Sequence, residues 1–270
     1  MAFNDISFLF LFFPGALALH KVMPMPGKNL VLLALSLVFF AWGSPEYVFL
    51  LILSILFNYF TGLQMAKNKE DKDEKALRFT IWSGVIVNLL LLGFFKYWGF
   101  LLQNVNALLG TSFASGVTSM PLGVSFFTFS ILSFLFDVYR DKATAPKNPL
   151  DFALFVSFFP QLAQGPISRY SDLSKTLYEP HHFERKTVSY GVMRIVWGYF
   201  KKVVIADRLV TGVLTLINGI TTPTGVIDPN GAYVFVAMLF YAFQLYCDFT
   251  GGIDITIGIA QTMGIKVAEN

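Results

Sequence analysis

Long apolar runs separated by short clusters of charge dominate this chain, and their lengths predict helices that cross a lipid bilayer. Residues 46–66 (EYVFLLILSILFNYFTGLQMA) and 79–95 (FTIWSGVIVNLLLLGFF) are the clearest cases, because a helix rises about 1.5 Å per residue and the hydrocarbon core is about 30 Å thick. In lipid only helices and closed barrels satisfy their own backbone. The runs lack the dyad alternation of an outer-membrane barrel, so the predicted fold is all-α: a polytopic transmembrane helical bundle. Predicted helices lie at about 5–20, 29–43, 46–66, 79–98, 120–139, 188–200, 203–218 and 232–263.

Charge orients these helices, because Lys and Arg favour cytoplasmic loops. All twenty Lys and Arg residues except Lys96 sort to one side. The basic connections are 20–28, 67–78, 140–147, 165–187 and the Lys201, Lys202, Arg208 stretch, whereas 43–45, 99–120 and 219–231 carry neither residue. The N-terminus is therefore predicted to be extracytoplasmic and the protein to be multi-pass in the plasma or inner membrane. Strict alternation fails between 140 and 208, where successive basic loops all belong inside. Asp151 to Ala163 is about a dozen residues, which suits a re-entrant or interfacial segment. Residues 188–200 are expected either to enter and return or to lie in the interface.

Composition narrows the classes further. The chain is 55% hydrophobic with 30 Phe, more than one compact soluble core would use. Ala16-Leu17-Ala18 resembles a leader cleavage site, but the preceding residues carry Asp5 and no Lys or Arg, so a retained first helix is predicted. The single Cys247 excludes an intramolecular disulfide. The net charge of +3 arises from the basic loops, with no basic stripe interleaved with aromatics, so no nucleic-acid partner is expected. The charged segment 67–78 reads as a solvated loop or helix extension. With no repeat or linker in view, residues 1–270 read as one integral membrane domain.

Three constellations are candidates for chemistry. In SFFPQLAQGPISR (157–169), Pro160 and Pro166 prevent a continuous helix. Irregular backbone at membrane depth survives only inside protein or beside a wet cavity. Gln161, Gln164 and Arg169 would then offer donors to a polar ligand, or merely satisfy the freed carbonyls at an interfacial loop. Tyr241, Gln244 and Asp248 share one helical face at i, i+3 and i+7, Gly251-Gly252 is expected to interrupt that helix, and Asp254 follows. Two aspartates in a span need a partner or water, and Arg169, Lys201, Lys202 and Arg208 are the natural cations. A cavity-lining role and a purely structural ion pair both fit. Lys201, Lys202 and Arg208 form a basic segment that snorkels at a membrane surface or meets the phosphates of a donor on the cytoplasmic side. His181-His182 stand in a charged loop without further metal ligands spaced nearby, and no metal site is expected.

In this order these segments resemble the membrane-bound O-acyltransferase (MBOAT) family, in its bacterial alginate and teichoic acid branch. The resemblance is carried by FNDISFLFLFFP, by residues 29–62 (NLVLLALSLVFFAWGSPEYVFLLILSILFNYFTG) and by PLGVSFFTFSILSFLFDVYR. It continues through SFFPQLAQGPISR, KKVVIADR and YAFQLYCDFTGGIDITIGIAQTMGIKVAEN. It implies O-acyl transfer, an acetyl group above all, from a cytoplasmic donor such as acetyl-coenzyme A or a carrier-bound thioester to a hydroxyl of an extracytoplasmic cell-envelope polysaccharide such as alginate. A secreted or periplasmic acyltransferase partner is implied too. No cofactor is expected to be held apart from the donor. The family's signature histidine lies in a Trp-His segment, which is expected beyond Asn270; no catalytic residue is therefore assigned here, and this stretch alone is expected to be inactive. Acyl transfer needs a group to activate the hydroxyl and donors for the oxyanion. The 160–166 break and the Tyr241, Gln244, Asp248 face would supply a tunnel wall for it.

A transporter or channel is the competing class, because broken helices with buried carboxylates also line ion paths. A transporter should show internal repeats, and none is visible. The orientation has a direct test: a reporter fused after Asn106 is expected outside and one after Glu70 inside, and reversed labelling in a protease-protection assay would overturn it.

Overall fold

The computed structural model describes Phe3 and residues 5–112, 119–179, 183–220 and 231–269. Every regular element among them is a helix. A π-turn at Phe8–Phe12 leads into α1 (Phe13–Val22), followed by α2 (Met25–Gly43), α3 (Val48–Glu70), α4 (Glu74–Leu109) and α5 (Val124–Tyr139). Three short helices follow: α6 (Pro149–Ser157), α7 (Phe159–Ala163) and α8 (Tyr170–Tyr178). The chain closes with α9 (Arg185–Tyr199), α10 (Asp207–Ile220) and α11 (Gly231–Thr262).

Pro45–Glu70, Glu74–Leu109 and Gly231–Thr262 are long and apolar enough to cross a membrane, and Phe8–Val22, Gly27–Gly43 and Val124–Tyr139 are shorter apolar helices. Large apolar side chains such as Phe79, Trp82, Leu90 and Phe100 stand exposed along α4. An exposed apolar belt of this kind is the surface of a membrane protein.

Polar pairs and glycines hold the first helices together, as expected where the surroundings are as apolar as the core. The buried Asn58 and Asn88 exchange amide hydrogen bonds of 3.2 and 2.7 Å between α3 and α4, and each also donates to the carbonyl four residues earlier. Gly62 lies under the Phe134 ring, where a Cβ would come within 2.4 Å of it. Asp73 caps α4 by accepting from the Ala76 amide, which closes the tight turn after α3 at the charged end of the bundle.

The 140–178 segment is a hairpin that dips into the bundle from that charged end. Lys69 of α3 bonds the carbonyl of Val138 and pairs with Asp141, so α5 ends at the level of the α3–α4 turn. The chain then turns back along α6. Phe159 donates to the buried Ser36 hydroxyl of α2 at 3.1 Å, and the Leu162 carbonyl would lie 2.2 Å from a Cβ at Gly123, the N-cap of α5. The Leu122 amide bonds Ser44 Oγ in the α2–α3 turn, so the tip reaches toward the opposite end of the bundle. The return begins where the Tyr170 amide donates to Ser133 Oγ and the Ser171 amide to the Asp137 carboxylate. The sequence led to a re-entrant or interfacial segment at Asp151 to Ala163, and there the chain forms the short helices α6 and α7 rather than one long helix.

Two boundaries differ from expectation. Helices 188–200 and 203–218 are one continuous helix from Arg185 to Ile220, with a π-segment at Phe200–Ala206 in place of a break. Lys201 and Lys202 read as loop markers in the sequence, yet their charges are neutralised inside the bundle by Asp254 and Asp248. Gly251-Gly252 does not interrupt its helix either, since α11 runs unbroken to Thr262.

Those glycines serve close approach instead. α9 and α11 pack antiparallel, with Gly191 against Gly258 and Gly198 against Gly251. A Cβ at any of the four would lie 2.6–2.8 Å from the carbonyl oxygen of its partner. Backbone cannot move aside as a flexible side chain can, so added volume must spread the helices. Gly198→Val is expected to destabilise the purified protein by about 1–3 kcal/mol. Gly93→Ala, where a Cβ meets nothing within 4 Å, should be neutral or stabilising by up to about 1 kcal/mol. Thermal unfolding in detergent compares the two.

Candidate functional site

The glycine seam brings α9 and α11 close enough for their charged side chains to meet inside the bundle. Asp254 accepts from Arg194 Nε at 2.9 Å and pairs with Lys201. Lys202 pairs with Asp248 about one and a half turns earlier on α11. Arg194 also grips Glu269, beyond the end of α11, through both terminal nitrogens. The side chains of Lys201 and Lys202 are only 13% and 14% exposed, and a charge removed from water needs this counter-charge. The Arg194 hydrogen bonds hold the Glu269 carboxyl below the usual carboxylate range.

The hairpin tip docks on the same stretch of α11. The Thr256 hydroxyl reaches the carbonyls of both Pro160 and Gln164, in the short α7 and just past its end. Gln164 donates its amide to the Asp248 carbonyl at 3.5 Å, lying over Gly252, where a Cβ would collide with that amide group. Gln161 is buried and donates to the Pro166 carbonyl at 3.1 Å and to Ser168 Oγ at 2.6 Å. Ser168 Oγ in turn accepts from the Ala268 amide, tying the hairpin to the segment after α11.

Of the residues the sequence nominated, Gln161, Gln164, Lys201, Lys202, Asp248 and Asp254 converge on this region. Arg169 and Arg208 do not pair with the aspartates and are exposed. Tyr241 is 54% exposed, and Gln244 is half-buried one turn from Asp248. Lys201 and Lys202 are locked in ion pairs and do not form a free basic surface segment. Arg194, Thr256 and Glu269 are members that the sequence reading missed. Gly191 and Gly198 repeat at seven, as do Gly251 and Gly258, and that spacing on one face of each helix was the available signal. His181-His182 lie outside the described residues. Among the described residues, no group of three or more His, Cys, Asp or Glu is arranged to hold a metal.

Both aspartates hold cations, so neither is offered as a free general base. The arrangement presents amide and ammonium groups beside an irregular backbone, the kind of surface that positions a polar reactant.

No family model matches the chain. It is 36% identical over its whole length to "Probable alginate O-acetylase" from Azotobacter vinelandii, and covers 53% of that protein. It is 32% identical, again over its whole length, to the peptidoglycan O-acetyltransferase of Helicobacter pylori, covering 55% of it. Over 55% of the chain it is 29% identical to the teichoic acid D-alanyltransferase of Bacillus subtilis. The chain thus spans about half the length of the curated relatives it matches along its whole length. None of these three is a transporter or channel, so that alternative gains no support. The chain is a homologue of bacterial cell-envelope O-acetyltransferases, the relationship that its resemblance to the MBOAT family implies.

Charge removal at the seam has an expected order. Asp254→Asn strands Lys201 and weakens Arg194, and is expected to cost about 3–5 kcal/mol. Glu269→Gln removes a partner whose side chain is 67% exposed, and is expected to cost under about 1 kcal/mol. Parallel thermal melts of the two variants check the order.

Proposed function

We propose that the chain forms part of a membrane O-acyltransferase that passes an acetyl group from a cytoplasmic donor to a hydroxyl of an extracytoplasmic polysaccharide. The observation that carries this reading is homology over every residue of the chain to two kinds of envelope O-acetyltransferase. The donor in this reading is acetyl-coenzyme A or a carrier-bound thioester, and the acceptor is alginate or a related envelope glycan. A secreted or periplasmic acyltransferase completes the route. The charged end of the bundle faces the cytoplasm, the N-terminus lies outside, and residues 1–270 act as one multi-pass domain.

Within this scheme the hairpin and the α9–α11 seam are a fixed wall. An acyl path across a membrane must exclude water from the thioester while offering donors to a carbonyl oxygen as charge develops on it. The Gln164 amide and the Lys202 ammonium stand at the place where the broken backbone meets α11. The general base in this reading is a histidine of the family's Trp-His segment, with the paired Asp248 and Asp254 holding α9 and α11 in position. Arg208, exposed on α10, remains the candidate to meet donor phosphates, with Arg169 beside the hairpin.

The test uses the full-length protein reconstituted with its polysaccharide and acetyl-coenzyme A. Gln164→Ala is expected to lower O-acetyl transfer about 10-fold to 1,000-fold, the range for losing one oxyanion donor, with the melting temperature held within a few degrees. Undiminished transfer in Gln164→Ala would remove Gln164 from the reaction path. Failure of the wild type to acetylate any envelope glycan from either donor class would defeat the reading itself.

A further inference from the structure

The hairpin leaves a second polar feature that the acyl-transfer reading does not use. Between its descending and returning limbs lies a cavity of about 390 Å³, on the α5–α6–α8 side and away from the α9–α11 seam. Lys142 and Lys147 enter it from the turn before α6, and Lys175 from α8. Elsewhere Lys69, Arg78, Arg194, Lys201 and Lys202 all hold carboxylates. These three lysines form no ion pair among the described residues, although they share one concavity.

Neutral donors complete the wall: the side chains of Thr144 and Ser174 line it beside Tyr178. The single carboxylate present is Asp151, whose backbone carbonyl accepts the Tyr178 hydroxyl at 2.9 Å. Three like charges around one hollow repel each other unless an anion enters. The depth of the hollow also matters. Tyr59 bonds the Lys147 carbonyl at 2.7 Å and sits eleven residues before the end of α3 at Glu70, about 16 Å along the helix. The hollow is nonetheless open, with Lys142, Lys147 and Lys175 all exposed, so a ligand can reach the three ammonium groups from outside.

We propose that this open hollow binds a phosphate group, supplied by the headgroup of an anionic phospholipid. Basic pockets between helices at a cytoplasmic membrane surface recognise such headgroups, and lysine suits a phosphate as a compact point charge with three donors. The proposal depends on the charged end lying at a membrane surface and not on acyl transfer, so it stands or falls independently of the reaction.

The experiment uses full-length protein in nanodiscs, read by native mass spectrometry for retained lipid. Phosphatidylglycerol is expected to be retained at least tenfold over phosphatidylcholine. Combining Lys142→Gln, Lys147→Gln and Lys175→Gln should abolish that preference, whereas the three corresponding Lys→Arg changes should keep it. A wild-type footprint guards against misfolding of the variants: phosphatidylglycerol should slow acetylation of the three lysines by an amine-reactive ester at least threefold. Slowing by inorganic pyrophosphate without lipid retention would keep the phosphate site and assign it to a soluble ligand. Equal retention of both lipids together with no protection by either phosphate would overturn the proposal.

Discussion

Pairing charge inside an apolar bundle is the constraint on which this structure turns. Arg194, Lys201 and Lys202 on one helix and Asp248 and Asp254 on its neighbour would each be untenable alone in hydrocarbon. The Gly191–Gly258 and Gly198–Gly251 contacts bring the two helices backbone to backbone, and the ion pairs form along that same contact. Charge and glycine are thus two halves of one device: the glycines set the separation and the ion pairs fix the axial register.

The hairpin exploits the same device. An irregular segment with two prolines is tolerable in a bundle only if its carbonyls find donors and its amides find acceptors. Thr256, Gln161 and the hydroxyls of Ser36 and Ser133 meet its backbone from α11, from the hairpin itself, and from α2 and α5. Gly252 clears the space in which Gln164 lies. Without the α9–α11 seam holding α11 in place, the tip would lose the surface that accepts it.

The sequence disclosed the membrane class, the long helices and the broken 160–166 backbone because each depends on local signals: run length, apolar content and proline. It also disclosed that Asp248 and Asp254 needed a partner or water, and it named Lys201 and Lys202 among the candidate cations. It failed where an inference depended on a partner far along the chain. Lys201 and Lys202 look like a loop until their carboxylates, 53 and 46 residues away, are in view. Gly251-Gly252 looks like a helix breaker until Gly198 and Gln164 are seen against it. Arg194 was passed over because a lone arginine in a moderately polar helix gives no local hint of Asp254 sixty residues on. The homology then supplies what neither spacing nor contact can, namely the kind of transfer its relatives perform.

One hydroxyl, that of Thr256, reaches two carbonyls on either side of the 160–164 turn, while the carbonyl of Leu162 presses on Gly123 at the start of α5. The tip is therefore clamped between two helices that are otherwise far apart in the chain. That double attachment ties the positions of α11 and α5 to one short turn, so the two halves of the bundle share a single staple.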